Sequence, residues 1–272
     1  MTILNDRTRL IDLLMSNWGR FFFGHFVQSG TVLFWTKCPK KNRPQMDKEE
    51  IMRIRYKKWA RPELEASEFY VDNPEEWKGK WNKYFGNSNP IHLELGCGKG
   101  QFIANKAVKH QEINYIAIDL VDAMLGLAKR NVESTYKQSD IEPKNIVLTR
   151  FDIERILLIL EKADKIERIY INFCNPWPKG KHRKKRLTHT RQLEKYKEFL
   201  VPKGEIYFKT DDDDLFNSSL LYFEESGFEV IKKTYDLHKE PIFEENIETE
   251  HEKMFSEQGI KIKACIAKLR GE

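Results

Sequence analysis

Residues Ile91–Gly100 read IHLELGCGKG, a short apolar run that contains Glu94 and passes into a turn carrying Gly96, Gly98 and Gly100. Ile91–Leu95 predicts a β-strand, and Gln101–Lys109 directly after the turn predicts a helix. Glycines at such a turn allow a tight backbone and let a ligand approach it closely. A second apolar run, Tyr115–Ile118, ends at Asp119, nineteen residues beyond Gly100. A carboxylate in that place can accept hydrogen bonds from both ribose hydroxyls of a nucleoside cofactor. Strand, glycine turn, helix and distant acid together point to a nucleoside-binding loop.

Outward from this unit the alternation continues. Asp122–Tyr136 has helical spacing through Met124, Leu125, Ala128 and Val132. Ile146–Leu148 predicts a third strand, with a helix around Ile153–Leu160 after it. Arg168–Ile171 predicts a fourth, followed by a helix over Gln192–Leu200 that Pro202 and Gly204 stop. Ile206–Phe208 is a fifth, and Leu215–Glu225 is a helix ending before Gly227. Phe228–Ile231 and Ile260–Ala267 bring the strands to seven. Alternating strands and helices with short links predict an α/β fold, a mostly parallel sheet with helices on both faces. Ligands of such sheets bind at the carboxyl ends of the strands.

The glycine spacing selects among nucleoside cofactors. A dinucleotide site favours G-x-G-x-x-G with pyrophosphate at the helix N-terminus. Here the spacing is G-x-G-x-G, and Glu94 just before the turn would repel pyrophosphate. That carboxylate suits the cationic amino-acid portion of S-adenosylmethionine, and the pattern resembles the first motif of class I methyltransferases. The resemblance implies a Rossmann-like fold with Glu94, Gly96, Gly98, Gly100 and Asp119 around the cofactor. Asp152 falls where that fold places a polar side chain beside the adenine. An N-cap for the helix beginning at Ile153 is a second, compatible role for it.

After the fourth strand the chain reads Asn172-Phe173-Cys174-Asn175-Pro176-Trp177-Pro178, and then six of the eight residues from Lys179 to Arg186 are Lys or Arg. Cations of this density bind phosphates by displacing counterions, and aromatic planes stack on bases. The chain carries +5 in all, so without these six the balance is −1 and the basic character is local. A local patch suits a docked polyanion such as RNA more than a membrane surface. Asn175-Pro176-Trp177 also resembles the Asn-Pro-Pro-aromatic signature of amino-group methyltransferases, whose acceptors include adenine and glutamine side chains. Trp177 and the basic run depart from that signature. A non-catalytic RNA-binding protein with this fold is a further alternative.

Taken together, these motifs resemble the bacterial tRNA (guanine-N7-)-methyltransferase family over about 52–272. The match includes Met52–Arg55 and Lys58-Trp59-Ala60, the Glu94 glycine loop, Asp119, Asp152, the Pro176–Lys179 corner, Thr188-His189, Lys209-Thr210-Asp211 and Thr249–Glu252. It implies methylation of a guanine in the tRNA variable loop, with Asn175 and Asp211 at the reacting centre and Asn175 also lining the donor site. Lys179, Asp211, Thr249, Glu250, His251 and Glu252 would meet the substrate. Lys181, His182, Arg183, Lys184, Lys185 and Arg186 would lie along the RNA. Many members carry Asp where this chain has Asn175. Guanine N7 already holds a free lone pair and loses no proton on methylation, so orientation matters more than a general base. Asn175 is therefore expected to position, and Asp211 to supply negative field or to read the guanine edge. Arg53, Arg55, Lys57 and Lys58, interleaved with Tyr56 and Trp59, form a second basic-aromatic segment that reads equally as an RNA contact or a solvated arm.

The remaining composition sets bounds. Residues 1–51 contain Phe21-Phe22-Phe23 and Val32–Trp35, but Arg20, His25, Gln28 and Lys37 interrupt them. No run of about 18 clean apolar residues spans a bilayer, and no secretory pattern is present. Residues 1–51 are read as an extension outside the catalytic fold, or as the product of too early a start codon, with Met46 or Met52 the true beginning. Cys38, Cys97, Cys174 and Cys265 are far apart, which suits a reducing cytoplasm and no metal site. Monomer and homodimer both remain open.

Overall fold

The computed structural model describes residues 31–33 and 53–271. Most of the segment read as an N-terminal extension therefore lies outside the described residues. Two short strands, β1 (Thr31–Leu33) and β2 (Arg53–Arg55), pair antiparallel as a separate ribbon. Helix α1 (Ala60–Glu65) follows, then strand β3 (Tyr70–Val71) and helix α2 (Trp81–Phe85). The strand-turn-helix unit around the glycine loop is β4 (Ile91–Leu95), α3 (Gln101–Lys109), β5 (Asn114–Asp119) and α4 (Asp122–Gln138). Next come β6 (Ile146–Arg150), β7 (Ile166–Asn172), α5 (Thr190–Lys197), β8 (Leu200–Thr210), α6 (Asp213–Glu225), β9 (Phe228–Thr234), α7 (Glu250–Glu257) and β10 (Lys263–Leu269).

One sheet has the order β3-β6-β5-β4-β7-β8-β10-β9. Every neighbouring pair from β3 to β8 is parallel, and β10 runs antiparallel to both β8 and β9. The strand order reverses between β4 and β7, so their carboxyl ends flank a topological switch point, where open α/β sheets bind ligands. Central strands are buried on both faces. Leu93, Ile116, Ile118, Ile169 and Phe208 join Leu193, Phe216 and Phe223 of α5 and α6 in one cluster. Tyr115, Ala117 and Tyr170 join Phe102, Leu125 and Val132 of α3 and α4 in the other. Both faces being covered explains apolar runs such as Tyr115–Ile118 and Ile169–Ile171 in these strands.

Three expectations are revised. The sheet has an eighth strand: β3 has only two residues and pairs with the outer side of β6, too short to leave a period-2 signal. The segment after β6 is a 3₁₀ helix, Ile153–Leu158, rather than an α-helix. Helix α5 ends at Lys197, and Pro202 and Gly204 lie inside the 11-residue β8. The register between β7 and β8 shifts there, and irregular pairing is where a strand tolerates Pro and Gly.

Candidate active site

At the end of β4, Glu94 is 2% exposed. Its Oε1 accepts a hydrogen bond from Asn172 Nδ2, across the switch point on β7, at 3.0 Å. Glu94 Oε2 and Asn172 Oδ1 are both buried with no hydrogen-bond partner. Orphaned buried acceptors are uncommon and call for an explanation. Burial pushes the Glu94 carboxyl up to about 8, against the hydrogen bond from Asn172 and the nearby Lys209 cation, which lower it. Two acceptors side by side, one of them a carboxylate, are the complement of an ammonium group.

The glycine turn sits beside this pair. Gly96, Gly98 and Gly100 all have positive φ, at 80°, 55° and 70°. A Cβ on Gly100 would lie 2.7 Å from Ala128 Cβ of α4, so close helix packing requires glycine there. A Cβ on Gly96 would meet nothing within 4 Å, which leaves that face of the turn open to a ligand. Asp119 pins the loop: its Oδ2 accepts from Gly98 N at 2.9 Å and its Oδ1 from Val121 N at 3.0 Å. Burial raises its pKa to about 6, opposed by those same backbone donors. Each oxygen keeps a further lone pair for a ribose hydroxyl. Asp152 is exposed and caps the 3₁₀ helix through Glu154 N at 2.9 Å.

Across the switch point, β7 leaves the sheet through two non-glycine residues with positive φ, Phe173 at 52° and Trp177 at 43°. Such conformations cost of order 1 kcal/mol each and persist where the surroundings fix them. Asn175 Oδ1 accepts from Trp177 N at 3.1 Å, so the asparagine shapes its own turn. Lys185 Nζ lies 5.1 Å from the Trp177 ring centroid and the His182 ring 5.8 Å from it. Lys179, Lys181, Arg183 and Lys184 are exposed.

Arg186 departs from the RNA-contact expectation. It is fully buried, its Nε donates to the Pro176 carbonyl at 2.8 Å and its Nη2 meets Asp214 at 2.5 Å. It braces the corner from behind and presents no cation to the surface.

The acidic run after β8 divides its roles. Asp211 is 9% exposed, and its backbone carbonyl accepts from Lys263 Nζ at 3.0 Å. Asp212 caps α6 through Leu215 N at 2.7 Å. Asp213 pairs with Lys263, and Asp214 with Arg183 and Arg186. Thr249 caps α7 through Glu252 N at 3.0 Å. Glu250 is exposed and meets Lys99 of the glycine turn at 2.5 Å, so this segment reaches that turn. His251 stacks on Phe173, with ring centroids 6.1 Å apart.

Glu252 also departs from expectation. It is fully buried, accepting from Lys209 Nζ at 2.7 Å and from Asn246 Nδ2 at 2.6 Å. Among the described residues, His238, Glu248 and Glu252 bring possible metal-ligand atoms within 4.8 Å of one another. Within this group each Glu252 oxygen accepts one hydrogen bond, from Lys209 and from Asn246.

Two residues here were not singled out from sequence. Asn172 ends a strand at the switch point, and that position in the topology was its available signal. Lys209 stood in the Lys209-Thr210-Asp211 motif, but no local pattern marks a lysine as buried, so the sequence assigned it no role. In the second basic-aromatic segment Trp59 is an anchor: Arg130 stacks over its ring at 3.6 Å, and Gly126 of α4 packs under it. Tyr56 is 65% exposed.

The sheet order, the glycine turn and the paired acceptors at the switch point define a Rossmann-like class I methyltransferase fold. The 16S rRNA methyltransferase KamB shares it with a TM-score of 0.52 at 12% identity, over 70% of this chain and 93% of that one. A family model described as "Putative methyltransferase" matches residues 88–265. The tRNA (guanine-N(7)-)-methyltransferase of Clostridium beijerinckii is 60% identical over 216 residues, 79% of this chain and 98% of that protein. That of Ruminiclostridium cellulolyticum is 58% identical over 220 residues, 80% of this chain and 93% of that protein. The chain belongs to the tRNA (guanine-N(7)-)-methyltransferase family.

Proposed function

We propose that this protein methylates N7 of a guanine in the tRNA variable loop, with S-adenosylmethionine as donor, in the cytoplasm. The observation that carries the donor assignment is the pair of unpartnered buried oxygens, Glu94 Oε2 and Asn172 Oδ1, beside the open face of Gly96. They fit the donor's ammonium, while Asp119 fits its ribose. Bound there, S-adenosylmethionine supplies the electrophilic methyl group. The chain's part is to hold the purine in line and to favour positive charge moving onto it. Asp211, directly after β8, would supply that field from the acceptor side. Asn175 holds the corner that fixes the approach.

Incubating bulk unmodified tRNA with S-adenosylmethionine, then mapping by reduction and strand cleavage, tests this reading. It predicts 7-methylguanosine at one variable-loop position. N6-methyladenosine instead would favour the amino-group reading. Because N7 needs no base, Asn175→Asp should change the single-turnover methylation rate by less than about tenfold, or about 1.4 kcal/mol. A gain of several orders of magnitude would show that an acid at 175 does more than position.

The exposed cations are proposed to track the tRNA backbone. Replacing Lys181, Arg183 and Lys184 together with alanine should reduce the slope of log affinity against log salt by about 2–3, at roughly 0.7–0.9 for each phosphate left without its cation. An unchanged slope in filter binding would place the RNA elsewhere.

A further inference from the structure

Side chains alternate between the two faces of the sheet along β10. Ala264 packs with Phe255 of α7, while Cys265 and Ala267 join Phe216 and Phe223 of α6. Lys263 belongs to the α6 face, at the end of the strand that reaches the first turn of that helix. It is 7% exposed and is the register partner of Thr210, the last residue of β8. Its Nζ donates to the Asp211 carbonyl at 3.0 Å and meets Asp213 Oδ1 at 3.0 Å. Thr210 Oγ1 accepts from Asp212 N at 3.1 Å.

The Asp211 carbonyl and the Asp212 N–H belong to one peptide unit, which is planar. That unit is held at both ends, the oxygen by Lys263 and the nitrogen by Thr210. On its other side Asp211 follows directly from a residue paired in the ladder. The backbone on both sides of the Asp211 Cα is thus fixed, and with it the direction in which the side chain leaves.

A buried ammonium is costly to place, and the fold does not need one here. Cys265 and Ala267 show that this face closes with small apolar side chains. Asp212 already caps α6 through Leu215 N. What Lys263 adds is a grip on the peptide beside Asp211. We propose that Lys263 is a positioning residue for methyl transfer, which aims Asp211 at the purine by clamping the peptide unit that follows it. The proposal rests on the acceptor-side role given to Asp211 above. A group that stabilises developing charge acts only when held in place beforehand, and a misplacement of about 1 Å can cost on the order of 100-fold in rate.

The test is a double-mutant cycle on the single-turnover rate at saturating tRNA and S-adenosylmethionine. Methionine keeps the apolar stem of Lys263 and removes the ammonium. Lys263→Met should lower the rate by about tenfold, with affinities for tRNA and S-adenosylhomocysteine within about twofold of wild type. Asp211→Asn should lower the rate by about 100-fold. In the Asp211→Asn background, Lys263→Met should cost less than about twofold more, because there is no longer a carboxylate to aim. Asp213→Asn leaves Lys263 on the Asp211 carbonyl and should stay within about twofold of wild type. Thr210→Val loosens the other end of the clamp without touching a charge. It should repeat the pattern of Lys263→Met, and it carries the test if that variant does not fold. Equal losses from Lys263→Met in both backgrounds overturn the proposal and leave Lys263 a tie between β10 and α6. A loss confined to tRNA affinity, or one of the same size in Asp213→Asn, overturns it as well. An Asp211→Asn rate equal to wild type would instead overturn the role of Asp211, and this proposal with it.

Discussion

Glu94→Gln should weaken S-adenosylmethionine binding by about 100-fold or more, the effect of removing the charge from a buried ion pair. Gln keeps the shape and can still meet Asn172, so the loss reports charge. Without donor the same change should act in the opposite direction on stability. Burial raises the folded-state pKa of Glu94 to about 8, well above the ordinary carboxylate range. As pH rises through that window the unfolded chain gives up its proton first and the folded protein keeps it, so stability falls with rising pH. Removing the carboxyl removes that dependence. Thermal melts of the two apo proteins should therefore diverge between about pH 5 and pH 8.5, with the variant the more stable at the alkaline end. Equal melting curves at both values would mean that Glu94 is hydrated and that its burial is not stored for the donor.

Arg186→Ala should cost about 2–4 kcal/mol and abolish most methyl transfer, whereas Arg183→Ala should cost less than about 1 kcal/mol. The two cations are three residues apart in one run, but Arg186 is fully buried and Arg183 is exposed. Losing Arg186 opens a cavity and strips the Pro176 carbonyl of its donor. Release of a desolvated guanidinium offsets part of that, which keeps the cost low for so large a side chain. The corner it braces includes Trp177, held with φ of 43°, and should relax once unbraced. Arg186→Lys should rescue little, since one ammonium cannot reproduce the planar fork that spans Pro176 and Asp214. Chemical denaturation and single-turnover rates measure both changes. If Arg186→Ala were as mild as Arg183→Ala, while flattening the salt dependence of tRNA binding, the arginine would be an RNA contact.

Much of the fold was legible because its signals are local. Short apolar runs such as Tyr115–Ile118, Ile146–Leu148 and Ile169–Ile171 mark the central strands, since helices cover both faces, and several turns carry their own glycines or caps. Helix α3 matches Gln101–Lys109 at both ends. The weaker elements failed for local reasons too: β3 is too short to show a period, and Pro202 and Gly204 look like a helix stop although a register shift admits them into β8.

Sheet type, the glycine turn with its two acids, and the family all follow from the order of residues along the chain. They depend on residues within one strand-turn-helix unit, or on a spacing that the chain length between strands preserves. Which of several like residues does which work was settled by packing across the fold. Arg186 faces inward and Arg183 outward; Glu252 is a buried counter-ion while Glu250 meets Lys99; Asn172, rather than Asn175, pairs with Glu94. Each of these rests on a contact between segments 28 to 151 residues apart. Burial and counter-ion choice are properties of such contacts, and no local pattern of residue types encodes them.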